Sequence, residues 1–161
     1  MNNSSFLIRF AQKKDLALVF QMIKELADFH DLSDKVKANE EILKQSLFED
    51  PKGPDVLIAE ENQEPVGFIV FFQNFSTFLG KEGIYIDDLY IREKHRSKGY
   101  GKALLKEVCR IAEKRKCGRV EWKVLKGNQK AIGFYQKMGA IPASEWTTFR
   151  LTEKAFKELL N

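Results

Sequence analysis

The stretch Ile84-Tyr85-Ile86-Asp87-Asp88-Leu89-Tyr90-Ile91-Arg92-Glu93-Lys94-His95-Arg96-Ser97-Lys98-Gly99-Tyr100-Gly101-Lys102 decides how the rest of this chain is read. Apart from two acids, residues 84 to 91 are aliphatic or aromatic, which predicts a strand over Ile84 to Arg92. From Gly101 to Lys116 the pattern changes: Leu104, Leu105, Val108, Ile111 and Ala112 recur at the spacing of one helix face. A basic, glycine-containing turn joins the two. Unpaired backbone N–H groups and the positive end of the helix dipole make such a junction an anion site. Gly99 and Gly101 allow close backbone approach, while Arg96, Lys98 and Lys102 supply charge. A phosphate is the natural guest. The dinucleotide fingerprint needs a third glycine where Leu104 stands, and the Walker loop needs a wider glycine spacing followed by Lys-Ser or Lys-Thr, so both are excluded.

Outward from this segment the chain alternates strands and helices. Strands are expected at Phe6 to Phe10, Val56 to Glu60, Val66 to Phe72, Arg119 to Leu125 and Trp146 to Leu151. The residues Glu61 to Pro65 join two of them as a hairpin. Helices are expected from Asp15 to about Phe29 and from about Asn39 to Phe48, the latter stopping before Asp50-Pro51. Two more run from Asn128 to Met138, ended by Gly139, and from Thr152 onward. Hairpin and crossover connections coexist, so the expectation is one mixed α/β (α+β) domain over residues 1–161.

A length of 161 residues suits one domain, and 43% hydrophobic with 31% charged residues is ordinary for a soluble globular protein. The longest apolar run, Val66 to Phe72, falls far short of the ~20 residues of a membrane span. Met1-Asn2-Asn3-Ser4-Ser5 lacks the pattern of a secretion signal, so a cytoplasmic location is expected. The net charge of +4 arises from 27 basic against 23 acidic residues, densest between Arg92 and Lys102. Such a stripe can meet nucleic acid, membrane phosphate or a phosphorylated small molecule. No interleaved aromatic platform accompanies it, so nucleic acid is not the expected partner, and without a span neither is a membrane. Cys109 and Cys117 are read as free thiols about 12 Å apart along one helix. His30 and His95 stand far apart in sequence, and no metal site is expected.

The spacing Arg96-x-x-Gly99-x-Gly101, with Asn128 and Phe134-Tyr135 downstream, resembles the pyrophosphate-binding signature of the GNAT family of N-acetyltransferases. Lys24-Glu25-Leu26-Ala27, the strand at 84–91, Phe134 to Ala140 and Glu145 to Leu151 are similar to its diamine (spermidine/spermine) and thialysine branch. The resemblance implies a mixed, mostly antiparallel sheet of about six or seven strands flanked by helices. That sheet would splay between the strands at 84–92 and 119–125.

The resemblance further implies acetyl-CoA as donor, with direct transfer to an amine. Leu89, Tyr90 and Ile91 would pair with the pantetheine arm. The segment Arg96, Ser97, Lys98, Gly99, Tyr100, Gly101, Lys102 would hold the pyrophosphate, and Asn128, Phe134 and Lys137 would complete the cofactor site. Tyr135 matches the general acid. Asp87 matches a base that is usually glutamate, and the shorter side chain favours relay through water. Asp87 and Asp88 point to opposite faces of a regular strand unless a bulge re-aims them.

On the acceptor side the resemblance points to Asp87, Asp88, Glu145, Trp146 and His30. His30 replaces a family acid, and Lys126-Gly127 stand where many relatives have an acid and a tryptophan. Both changes favour a small amine over a long polyamine. Phe75, Phe78, Trp146 and Phe149 either line an acceptor pocket or are buried in a subunit interface or core, and the 146–151 strand with its helix looks dimer-forming. The alternatives are a protein or peptide amine as acceptor, or an acyl-CoA-binding regulatory module.

Overall fold

Apolar residues alternating between two sheet faces build an antiparallel meander in the computed structural model, which describes residues 5–160. Met1 to Ser4, most of the stretch read above for a secretion signal, and Asn161 lie outside the described residues. Two compact units are described, one reaching Lys123 and one beginning at Val124.

The first unit holds a five-stranded sheet in the order of the chain: β1 (Phe6–Phe10), β2 (Asp55–Glu61), β3 (Glu64–Ser76), β4 (Lys81–Ile91) and β5 (Val120–Trp122). The first four pair antiparallel and β5 adds parallel to β4. β2 and β3 are joined by Asn62-Gln63, both left-handed (φ 53° and 67°), as a two-residue hairpin of this twist requires. One face carries Val56, Ile58, Phe68, Val70 and Tyr90, which pack with Val19 and Met22 of helix α1 (Leu16–Phe29). By alternation Leu57, Ala59, Ile69 and Phe71 face the other way. There α3 (Tyr100–Lys114) buries Leu104, Leu105, Val108 and Ala112, the positions expected from the helical spacing.

Side-chain ion pairs lock this frame. Arg9 of β1 grips Asp15, just before α1, with two nitrogens (2.7 and 3.0 Å), and its Nε donates to Glu60 of β2 (2.9 Å). Arg92 donates to both oxygens of Glu25 on α1 (3.0 and 2.9 Å) and to the Pro65 carbonyl (2.9 Å). The short α2 (Glu40–Lys44) widens into a π-turn over Gln45–Glu49 before Pro51.

The second unit contains α4 (Gln129–Gln136) and α5 (Glu153–Leu159). Gly139, at φ 88°, closes α4, with its N–H on Gln136 and that of Ala140 on Tyr135. Three expectations need correction. The sheet has five strands among the described residues, because Trp146 to Leu151 is irregular. Its aromatic and β-branched residues suit a strand, but no described strand pairs with it, and Phe149 is 92% exposed. The strand read at 119–125 is limited to Val120–Trp122. Cys117 lies beyond α3, whose end folds back: Lys116 is left-handed (φ 57°) and the Cys117 N–H reaches the Ala112 carbonyl.

Leu104 is fully buried. Leu104→Ala is expected to cost ~2–5 kcal/mol of unfolding free energy, read from urea denaturation. A loss under 1 kcal/mol would show that α3 does not close this face.

Candidate active site

The strand expected over 84–92 contains an inserted residue. Val70 pairs with Asp88 and Phe71 with Ile86, so Asp87 is the extra residue of a β-bulge in β4. The insertion switches the strand's faces. Ile84 and Ile86 lie with α3, whereas Tyr90 joins the α1 cluster. Alternation from Tyr85 places Asp87 on the α1 face, and pairing with Val70 places Asp88 there too. The two carboxylates that would oppose each other in a regular strand therefore share one face.

Their surroundings differ. Asp87 is exposed and Asp88 half-buried. Burial, and secondarily the charge of Asp87, push the Asp88 carboxyl up to about 6. Tyr85 stands on the same face, opposite Phe72 (5.3 Å between ring centroids) and Glu121 of β5. Burial, then the charges of Asp87 and Glu121, raise its phenol above the usual range. Glu121 also takes Arg119 Nε at 2.8 Å. Sequence reading passed over Glu121 and Tyr85; only the β4–β5 register links them to the two aspartates.

β5 pairs with β4 only at Ile84, Tyr85 and Ile86. Beyond that point, from Asp88 to Ile91, the described residues of β4 are paired on the β3 side alone. This is the splay expected between the two strands. It leaves the β5-side backbone edge of Leu89, Tyr90 and Ile91 without a strand partner, and the Ile91 carbonyl accepts Arg96 Nε instead.

The loop after β4 bends through Ser97 (φ 66°) and Gly99 (φ 87°), both left-handed. Gly99 is the N-cap of α3, and no side chain caps that helix. The N–H groups of Tyr100, Gly101 and Lys102 thus belong to an open first turn. Arg96 is held beside it, its Nε on the Ile91 carbonyl (2.9 Å) and its guanidinium 4.0 Å from the centroid of Phe29. The Phe29 ring also meets His30, at the end of α1, edge-on. This donor set fits a pyrophosphate: successive backbone N–H groups in a left-handed turn with cations alongside.

The basic stripe is less cationic than its sequence. Arg92 is spent on Glu25, Lys94 on Glu64 (2.6 Å) and Lys98 on Glu61 (2.9 Å). Lys102 is exposed at the open turn.

In the second unit, Asn128 caps α4 by accepting the Ala131 N–H at 3.1 Å. Tyr135 is half-buried, edge-on to Phe134, and burial raises its phenol above the usual range. Lys137, Glu145 and Trp146 are exposed, as are Phe75 and Phe78 of the first unit and Phe149 of the second. Among the described residues no cluster of His, Cys, Asp or Glu could hold a metal. No helix among them is long and apolar enough to cross a membrane.

The splayed β4–β5 pair and the open helix start behind a left-handed turn match the arrangement that the resemblance implied. The acetyltransferase (GNAT) family model matches residues 19–140. The chain is 33% identical over 167 residues to the thialysine N-epsilon-acetyltransferase of Sus scrofa, covering 97% of this chain and 98% of that one. It is 45% identical over 112 residues to the L-ornithine N5-acetyltransferase of Arabidopsis thaliana, covering 69% of this chain and 49% of that protein, so it spans about half of that relative's length. An integron cassette protein of V. cholerae superposes with a TM-score of 0.80 at 28% identity, over 97% of this chain and 98% of that one. The chain belongs to the GNAT family: it is an N-acetyltransferase, and acetyl-CoA is the family's co-substrate.

The raised Asp88 carboxyl has a thermodynamic consequence. Below pH ~4 the group is protonated folded or unfolded; between ~4 and about 6 only the folded state keeps the proton, so stability falls as pH rises. Above about 6 the loss is complete, at most ~3 kcal/mol. Asp88→Asn is therefore expected to raise the thermal midpoint at pH 8 and leave it unchanged at pH 3.5. Equal shifts at both pH values would refute the burial cost.

Proposed function

We propose that this enzyme acetylates the primary amine of a small, compact cation, such as the side-chain amine of a thialysine-, ornithine- or lysine-like amino acid or a short diamine. The observation that carries this reading is the Asp87–Asp88 pair, which the bulge sets on one face with Tyr85; Glu121 beside Tyr85 is matched by Arg119, and Lys123 Nζ lies 5.9 Å from the Tyr85 ring centroid. An aromatic surface rimmed by carboxylates suits an ammonium group. The relatives named for thialysine and L-ornithine support the same class. A long polyamine is disfavoured, since His30 and Lys126 contribute no negative charge and the chain carries +4 overall. The alternatives remain an amine on a protein or peptide, or an acyl-CoA-binding regulatory role. The open carboxylate face and half-buried Tyr135 favour catalysis on a small amine.

In this reading the Leu89, Tyr90 and Ile91 backbone pairs with the pantetheine arm. Arg96, Ser97, Lys98, Gly99, Tyr100, Gly101 and Lys102 hold the pyrophosphate. Asn128 donates from its amide nitrogen, its oxygen being used in the cap, and Phe134 and Lys137 complete the cofactor contacts. The acceptor ammonium gives a proton to the Asp87–Asp88 pair, directly or through water. Asp88, its carboxyl near 6, is the better matched acceptor near neutral pH. The neutral nitrogen attacks the thioester carbonyl carbon, the carbon–sulfur bond breaks, and the nitrogen loses a second proton. Tyr135, kept protonated by burial, returns one proton to the sulfur. One proton is released overall. Glu145, Trp146 and His30 are assigned to the acceptor side.

We read residues 1–161 as one acetyltransferase domain, supported by a family match that runs across both compact units. We also propose a cytoplasmic homodimer without nucleic-acid or membrane partners. The exposed Trp146, Phe149, Leu151, Leu159 and Leu160 support the dimer, and the internally paired basic stripe argues against a nucleic-acid partner.

An amine panel with acetyl-CoA, following thiol release for ornithine, lysine, thialysine, putrescine, spermidine and a lysine peptide, tests the acceptor. The amino acids and short diamine should give the highest kcat/KM; a preference for the peptide or spermidine would overturn the reading. Tyr135→Phe should lower kcat ~100-fold with little change in acetyl-CoA affinity, measured by steady-state kinetics and titration. Arg96→Ala should instead weaken acetyl-CoA binding at least ~10-fold, the ~1.5–3 kcal/mol of a charged hydrogen bond. A pure rate defect there would contradict the cradle.

A further inference from the structure

Resting on the cofactor-site assignment just made, we propose that Glu61 is a positioning residue that holds the pyrophosphate loop in its binding conformation. It belongs neither to the loop nor to the acceptor face. It ends β2, at the hairpin with Glu64, where its side chain is mostly buried (14% exposed).

Three loop residues converge on this one carboxylate. His95 Nδ1 lies 3.1 Å from Oε2, Lys98 Nζ donates to Oε2 at 2.9 Å, and the Tyr100 hydroxyl donates to the same group. Together they hold Glu61 at a pKa of about 2, with Tyr100 and Lys98 contributing most. Tyr100 is pushed up to about 12 in return.

The placement of these donors matters more than their number. Ser97 and Gly99 are the left-handed residues that turn the backbone N–H groups inward. His95 precedes both, Lys98 lies between them and Tyr100 follows them. A non-glycine residue such as Ser97 pays ~1 kcal/mol for this region, a cost that contacts from outside the loop can offset. Glu61 brackets the strained segment from both sides. The Tyr100 ring is further fixed by stacking on Phe6 (4.6 Å, 8° between planes). The hairpin itself is tied down, since the Asn62 N–H meets the Ser5 carbonyl (2.8 Å) and Asn62 Oδ1 accepts the Ser5 N–H (2.9 Å).

Electrostatics gives the proposal a sign. A carboxylate beside an anion site repels the anion, so a Glu61 that contributed only charge would weaken cofactor binding, and its removal would tighten it. A Glu61 that orders the loop does the reverse.

The test compares Glu61→Gln, Glu61→Asp and Tyr100→Phe with Asp55→Asn, whose carboxylate pairs with Arg115 at the other end of β2. Kinetics are measured with acetyl-CoA and with S-acetyl-pantetheine, which lacks the pyrophosphate. Glu61→Gln is expected to raise KM for acetyl-CoA about 10-fold, leave kcat within about twofold, and leave kcat/KM for S-acetyl-pantetheine unchanged. Glu61→Asp should recover part of the loss, Tyr100→Phe should cost a few-fold, and Asp55→Asn nothing. An unchanged or lower KM for acetyl-CoA in Glu61→Gln overturns the proposal. So does an equal loss with both donors, which marks general destabilisation. Arg96→Ala in parallel separates the two readings: if it too leaves acetyl-CoA binding unchanged, the cofactor-site assignment is what fails.

Discussion

The inserted residue in β4 is the constraint on which the rest of the site depends. Without it, alternation from Ile86 would carry Tyr90 to the α3 face and set Asp87 and Asp88 back to back. With it, Tyr90 is buried against α1 and both carboxylates share a face with Tyr85. The same short stretch is where β5 stops following β4, so the insertion and the splay coincide. One extra residue thus brings acidic side chains and unpaired strand edge to the same few residues, which no regular strand would do.

The second organising fact is where the basic charge goes. Five cations between Arg92 and Lys102 form a dense stripe in the sequence, yet three are matched to glutamates from α1, the β2 end and the β3 start. Their role is largely architectural. Arg92 ties the end of β4 to α1, and Lys98 ties the loop to the hairpin. Arg96, stacked on Phe29, and Lys102 at the open turn are better placed for an anion. The loop is therefore closer to a shaped cradle of N–H groups than to a patch of positive potential.

Much of this was legible in the sequence for a physical reason: the change from strand to helical spacing around Gly99 is local. The helix face of Leu104, Leu105 and Val108, the stop at Gly139 and the loop-to-helix junction all depend on neighbours within a few residues. What stayed hidden depends on partners far along the chain. The bulge exists only relative to Val70 and Phe71, so the pair Asp87-Asp88 could be noticed but not oriented. Glu61 meets His95 and Lys98 from 34 and 37 residues away, and nothing near it marks it out. Glu121 likewise gains meaning only from its register with Tyr85. Trp146 to Leu151 is the converse case, read as a strand although a strand also requires an edge to pair with.

The sheet's order has a further consequence. Because β1 to β5 lie side by side in the order of synthesis, each new strand can dock on the exposed edge of the one before it. The first and last additions pass through helices, β1 to β2 through α1 and α2 and β4 to β5 through α3, while β2, β3 and β4 follow one another by short turns. The centre of the sheet is thus built from local pairings, which form faster than distant ones. It also places the loop after β4 later in the chain than the hairpin carrying Glu61. The turn at the start of α3 can thus be shaped against a surface synthesised before it.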